Sequence, residues 1–173
     1  MKHKVIKFFL DFVKEECWLN EMSAKGLQLV SVSYPQYVFE EGEQGEYMYR
    51  LELLEHWPSS VEGRAYLRFV EDSGTECVDT WWRWAYFRRK ASEGSFDLYT
   101  DTTLKIKHYA RIVTVAGVGA AVNAAFCIFY IGILHISPFL LAPSGLLALL
   151  LAGVTWVHWG RLRKLKEAGR VRE

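Results

Sequence analysis

Along the first hundred positions apolar residues come in short alternating or helically spaced runs broken by polar turns; beyond residue 111 they merge into two unbroken apolar blocks. The opening run is rich in Val, Ile and Phe and predicts a strand over roughly residues 4 to 10. Asp11 then starts a helix, with Phe12, Val13, Cys17, Trp18, Met22 and Ala24 on its apolar face. Lys14, Glu15, Glu16, Asn20, Glu21 and Lys25 fall on the other face, and Gly26 provides a left-handed stop. LQLVSVS and YVFEEG predict two strands joined at Tyr34-Pro35, and EYMYRLELL predicts a longer one after a Gly-containing acidic turn.

Pro58 breaks that strand and opens a second helix carrying Val61, Ala65, Leu67, Phe69 and Val70, which stops at Ser73-Gly74. A strand from Thr75 leads into WWRWAYFRRK, expected as one aromatic strand, and a short strand FDLYT closes the domain. Asp101 can cap a helix through TTLKIKHYAR that runs on into the first apolar block.

A shift of 48 residues lays Trp18 on Tyr66, Leu19 on Leu67, Met22 on Val70, Gly26 on Gly74, Val30 on Val78, Tyr34 on Trp82 and Phe39 on Phe87. Helix, glycine stop and aromatic strand therefore recur in order. The expected fold is α+β: two helices on one face of a mostly antiparallel sheet, built as a pseudo-two-fold repeat of a helix and three strands, followed by a helical hairpin.

The two blocks, Ile112 to Leu134 and Phe139 to Trp159, hold 23 and 21 residues without one Asp, Glu, Lys or Arg. At about 1.5 Å per residue each reaches roughly 30 Å, the thickness of a bilayer's hydrocarbon core. Two buried core helices of a soluble protein would need polar residues on some face of each, and neither block offers a charged one. His135, Ile136, Ser137 and Pro138 suffice to reverse the chain, so it enters and leaves on one side. The organisation expected is a cytoplasmic domain over 1–110, a transmembrane hairpin over 111–160 with spans at about 112–134 and 139–159, and a basic tail over 161–173.

Charge gives the orientation. Residues up to 110 hold 14 basic and 18 acidic side chains; those after hold 7 basic and 2 acidic. Lys105, Lys107 and Arg111 precede the first block and Arg161, Arg163, Lys164, Lys166, Arg170 and Arg172 follow the second, so both termini are expected in the cytoplasm of a multi-pass protein of the cell membrane. Anionic lipid accounts for this basic excess, and no nucleic-acid partner is expected. Trp156 and Trp159, with Arg161, Arg163 and Lys164, read as the membrane interface; Gly117, Ala121 and Ala124 form a small-residue face for helix packing, and Asn123 should face protein.

Catalytic patterns are missing. His3, His56, His108, His135 and His158 show no metal spacing, no phosphate loop or nucleophile elbow occurs, and Cys17, Cys77 and Cys127 read as free thiols. Neither enzyme activity nor cofactor nor metal is expected. The oddity is aromatic excess. Strand alternation would send Trp82, Trp84 and Tyr86 one way and Trp81, Arg83, Ala85 and Phe87 the other. Helices on one face cannot bury both sets, so one set lines a groove, meets a partner or lies near lipid headgroups. Trp82, Trp84 and Tyr34 are expected in the core, and Trp81, Arg83 and Phe87 are the expected binding residues.

EECWLNEMSAKGLQLVSVS, YVFEEGEQGEYMYRLELL, WWRWAYFRRK and FDLYTD together resemble the domain-of-unknown-function family numbered 2812 of Gram-positive bacteria, over about residues 4 to 110. Cys17, where that family usually has Lys, and Leu27, where an aromatic is common, depart from its pattern. The resemblance implies membrane spans after the domain and genes beside PadR-like transcriptional regulators. The function expected is a membrane-anchored binding or sensory domain, for a small apolar ligand or a partner protein, signalling with a PadR-like regulator. The alternative is a structural accessory subunit of a membrane transporter complex.

Overall fold

The computed structural model describes residues 2–96, 98, 102–134 and 137–170. The chain divides into two compact units, Met1–Thr100 and Asp101–Glu173, so the first boundary falls ten residues before the expected 110. The expected cap at Asp101 and the reversal at His135 and Ile136 lie outside the described residues.

The first unit runs β1 (Lys2–Ile6), α1 (Phe12–Ala24), β2 (Leu27–Ser33), β3 (Gln36–Glu41), β4 (Tyr47–Leu53), α2 (Val61–Asp72), β5 (Glu76–Trp81) and β6 (Trp84–Lys90), with a 3-10 turn at Ala91–Glu93. The strands form two antiparallel three-stranded sheets, ordered β1-β3-β2 and β4-β6-β5. The repeat is present with a different phase. Each half is strand, helix, strand, strand, and the second hairpin strand lies in the middle of each sheet. The single sheet expected is two, because the edges that would join them are bulged at repeat-equivalent places, between Leu29 and Ser31 in β2 and between Cys77 and Asp79 in β5. A bulge interrupts the regular ladder. Side chains bridge the gap instead: Val32 N donates to Asp79 Oδ2 at 2.8 Å, and Arg88 Nη1 to the Leu29 carbonyl at 3.5 Å.

Both helices start and stop as their sequences dictate. Asp11 accepts from Val13 N at 3.1 Å and Ser60 from Gly63 N at 3.0 Å, each satisfying a donor that the first turn leaves without an intrahelical partner. Pro58 therefore precedes the second helix and does not sit in it. Gly26 and Gly74 follow the helices at φ +79° and +85°, the left-handed region that glycine enters without strain.

Helix α1 is the centre of the unit. Trp18, Leu19 and Met22 pack with Leu29, Val32, Tyr37 and Phe39 from one sheet and with Tyr49, Leu51 and Tyr86 from the other. Its polar side chains also finish β4, whose outer edge has no strand neighbour among the described residues. Asn20 donates to the Tyr49 carbonyl at 3.1 Å and accepts from Tyr49 N at 2.8 Å; Glu16 accepts from Leu51 N at 3.1 Å, and Ser23 donates to the Tyr47 carbonyl at 2.7 Å. Alternate β4 residues turn their backbone outward, and residues 16, 20 and 23 lie on one helix face, so the two spacings match. Helix α2 covers the opposite face of the second sheet, where Leu54, Val70, Ala85, Phe87 and Phe96 form a smaller core. Phe96 and Leu98 pack there without strand structure; the rest of the expected FDLYT strand lies outside the described residues.

In the second unit, α3 (Thr102–Gly132) and α4 (Pro138–Arg170) are antiparallel. Tyr109 meets His158, and Cys127 lies against the Leu141 carbonyl. Helix α3 runs unbroken through the stretch TTLKIKHYAR, as expected.

Candidate functional site

WWRWAYFRRK is a hairpin turn and one strand. Trp81 and Trp84 face each other as register partners, and Trp82-Arg83 is the two-residue turn between them, with Trp82 at φ +54°. The turn breaks the alternation on which the expected division of aromatics rested. Trp82, expected in the core, is 46% exposed, whereas Phe87, expected at the surface, is fully buried against Leu54 and Val70. Tyr86 and Phe87 point to opposite faces and both are buried, because α1 with the first sheet covers one face and α2 covers the other.

A cluster of exposed aromatics lies at one end of the first unit, where both hairpins turn, while Phe69 and Tyr66 are exposed on α2. Trp82 meets Trp57 edge-on at 5.7 Å between ring centroids, and Trp57 is 51% exposed. Trp81 lies against Tyr34 at 5.1 Å, and Tyr34 takes Phe8, 72% exposed, edge-on at 6.1 Å. Tyr34 is pinned from behind. Its hydroxyl donates to the Phe9 carbonyl at 2.6 Å and accepts from Phe9 N at 2.7 Å. Arg83 is a positioning residue: its Nη2 donates to the Leu54 carbonyl at 2.5 Å and to the Glu55 carbonyl at 2.6 Å, holding the segment that leads to Trp57.

Ring contacts continue inward from Tyr34 to Tyr37 and Trp18. Beneath them lies a group that the expected helix faces misplaced. Glu15 is buried, and its Oε1 accepts from the hydroxyls of Tyr37 and Tyr86, each at 2.7 Å. One carboxyl thus ties α1 to both sheets. Burial raises the Glu15 pKa above the ordinary value, against the lowering effect of the two hydroxyls. The tyrosines are raised as well, by burial first and by the nearby carboxylate second. The signal was available in the sequence, since Phe12, Glu15, Leu19 and Met22 follow a helical stripe with Glu15 inside it.

In the hairpin, Gly117 meets α4 at Thr155, and Gly119 faces Leu151 so closely that a Cβ there would lie 3.0 Å from Cδ1. Ala121 and Ala124, expected on the packing face, are exposed. Asn123 is half-buried and donates to the Gly119 carbonyl of its own helix at 2.8 Å. Trp156, Trp159, Arg163 and Lys164 are exposed, and Arg161 is half-buried. Among the described residues no group of three His, Cys, Asp or Glu could hold a metal ion.

A family model described as a protein of unknown function, DUF2812, matches residues 11–120. The chain belongs to the DUF2812 family. The DUF2812 match begins at the cap of α1 and ends inside α3, so it takes in the aromatic end except Phe8, together with Glu15 and both of its tyrosines. Comparisons with curated proteins and with solved structures give no match.

Proposed function

We propose that this DUF2812 chain is a membrane-anchored binding module, in which α3 and α4 span the bilayer as a hairpin and the first unit works by contact on the cytoplasmic side. One observation carries the reading. Both helices are long and apolar enough to cross a membrane, and in the most apolar stretch of each only 17% and 6% is buried. A core helix of a soluble protein would be mostly buried, whereas here apolar side chains such as Val118, Ile128, Leu146 and Leu149 face outward. Lys105, Lys107 and Arg111 at the start of α3, with Arg161, Arg163 and Lys164 late in α4, lie at one end of an antiparallel pair, which supports cytoplasmic termini. The aromatic end is the contact surface, and signalling with a PadR-like regulator follows from the family resemblance.

Anchoring is tested by alkaline extraction of membranes. The chain should stay in the pellet, and Ser137→Cys in a cysteine-free background should be labelled from outside intact cells. Release by carbonate would overturn the anchoring. Co-purification of a PadR-like regulator with the full chain tests the signalling half, and its absence from the purified complex would remove that half.

A further inference from the structure

Asn123 stands at the middle of the first apolar block, eleven residues from Ile112 and eleven from Leu134. In the anchored chain that is where an unmet polar group costs most, because hydrocarbon offers it no hydrogen bond. A primary amide carries two N–H donors and a carbonyl acceptor. One donor goes to the Gly119 carbonyl of the same helix at 2.8 Å. The other donor and Oδ1 are left without a partner among the described residues. Asn123 is only half-buried and its Oδ1 is not enclosed, so the amide opens on the outside of the hairpin.

Helix α4 does not supply what is missing. Cys127 lies against the Leu141 carbonyl and Gly119 against Leu151. In an antiparallel pair the midpoint of those two contacts sets Asn123 level with Gly145 and Leu146, whose side chains have no hydrogen-bonding group. Ser144 beside them makes no bond to the amide. A Cβ added at Gly145 would meet nothing within 4 Å, so the hairpin is open at this level. One turn before Asn123 stand Gly119 and Ala120, small enough for another backbone to come close.

We propose that a second copy of this chain completes the amide: two hairpins pair about a two-fold axis along the membrane normal, and Asn123 of each donates its spare N–H to Oδ1 of the other. The inference rests on the anchored reading above and names a partner for its hairpin. Two arguments select this occupant. The amide lacks one acceptor and one donor, which is what an identical amide has left to give, so both are satisfied at once. Copies inserted in one orientation also hold each residue at one depth, so symmetry brings Asn123 to Asn123. An unrelated helix would need its own amide at that level, and a lipid tail has neither group.

The test uses the full chain fused at its C-terminus to a donor or an acceptor fluorescent protein, both reconstituted together in vesicles of phosphatidylcholine and phosphatidylglycerol and diluted with lipid. Energy transfer should fall with dilution as a monomer–dimer equilibrium requires. Asn123→Leu should weaken association by about three- to twenty-fold, the range that single interhelical polar pairs give in membranes. Asn123→Gln keeps a donor and an acceptor and should stay close to the wild type. Ile128→Ala should change nothing, since Ile128 is 72% exposed and about 140° around the helix from Asn123. Transfer no greater than chance proximity at every dilution would overturn the inference. So would a dimer that survives Asn123→Leu, which would rest on another surface, or a Gln variant as weak as the Leu variant, which would assign the effect to packing. Alkaline extraction of the same vesicles separates the two readings: release of the chain would sink the anchoring itself, whereas retention without energy transfer would sink only the pairing.

Discussion

The two halves of the first unit share one topology and differ in what their helices do. Helix α1 is buried on two sides, carries the larger core, finishes the edge of β4 and places Glu15 between two tyrosines from different sheets. Helix α2 covers one sheet face and leaves Val61 and Phe69 exposed. The contrast is visible at equivalent positions. Trp18 is buried among Phe9, Tyr37 and Phe39, whereas Tyr66, 48 residues later, is partly exposed and donates one hydrogen bond to Glu52. Where Glu15 enters the core, the second half has Gly63, and a Cβ there would overlap the Trp57 carbonyl. Repetition of a pattern thus fixes the order of elements, while the side chains at equivalent sites decide which copy bears the load.

The largest effect expected is at that first pair. Trp18→Ala should cost about 3 to 5 kcal/mol, as large aromatic truncations in cores do, whereas Tyr66→Ala should cost no more than about 1 kcal/mol. Denaturant melts of the detergent-solubilised chain compare them, and similar losses would erase the asymmetry.

Glu15 comes next. Glu15→Ala leaves two buried hydroxyls without their acceptor and should cost about 2 to 5 kcal/mol; Glu15→Gln keeps an acceptor and should cost much less. Burial holds this carboxyl above its ordinary 4.5, so the folded state keeps the proton to higher pH than the unfolded chain does. Its contribution is therefore full below about pH 4.5 and is lost as pH rises through the raised folded value. Melts of the wild type should show that decline and those of Glu15→Gln should not; a slope unchanged by the substitution would assign it to another group.

Asn20→Ala removes both bonds to Tyr49 and should cost about 1 to 3 kcal/mol. Hydrogen exchange should show the Tyr49 amide losing protection, and unaltered protection would mean that water replaces the amide without loss. The smallest effect is expected at the turn. Trp82→Ala should change stability by less than about 0.5 kcal/mol, well below the loss in Trp84→Ala, whose ring packs on Phe12. Equal losses would return Trp82 to the core.

What the sequence made legible follows from where its signals are local. The helix start at Asp11, the glycine stops and the 48-residue repeat each depend on a few neighbouring residues, and the structure bears out the helices and the α+β class, while the second helix, expected to open at Pro58, is capped by Ser60. Trp82-Arg83 escaped because its turn carries no Gly, Pro, Asn or Asp and sits inside an aromatic run that reads as strand. The repeat held the missing clue, since it lays Trp82-Arg83 on Tyr34-Pro35, a turn plain in the first half. The split into two sheets and the burial of Phe87 depend on contacts distant in sequence, which periodicity does not record. Glu15 was misplaced because charge was given more weight than its position in the stripe.

The cover that Glu16, Asn20 and Ser23 give to β4 also bears on synthesis. An open strand edge is a template for pairing with other chains, and the hazard is greatest while a chain is incomplete. Here the helix that closes the edge is translated more than twenty residues before the strand it closes. On the ribosome, the residues that cap β4 emerge before the strand does, so the cover for its edge lies in the same nascent chain.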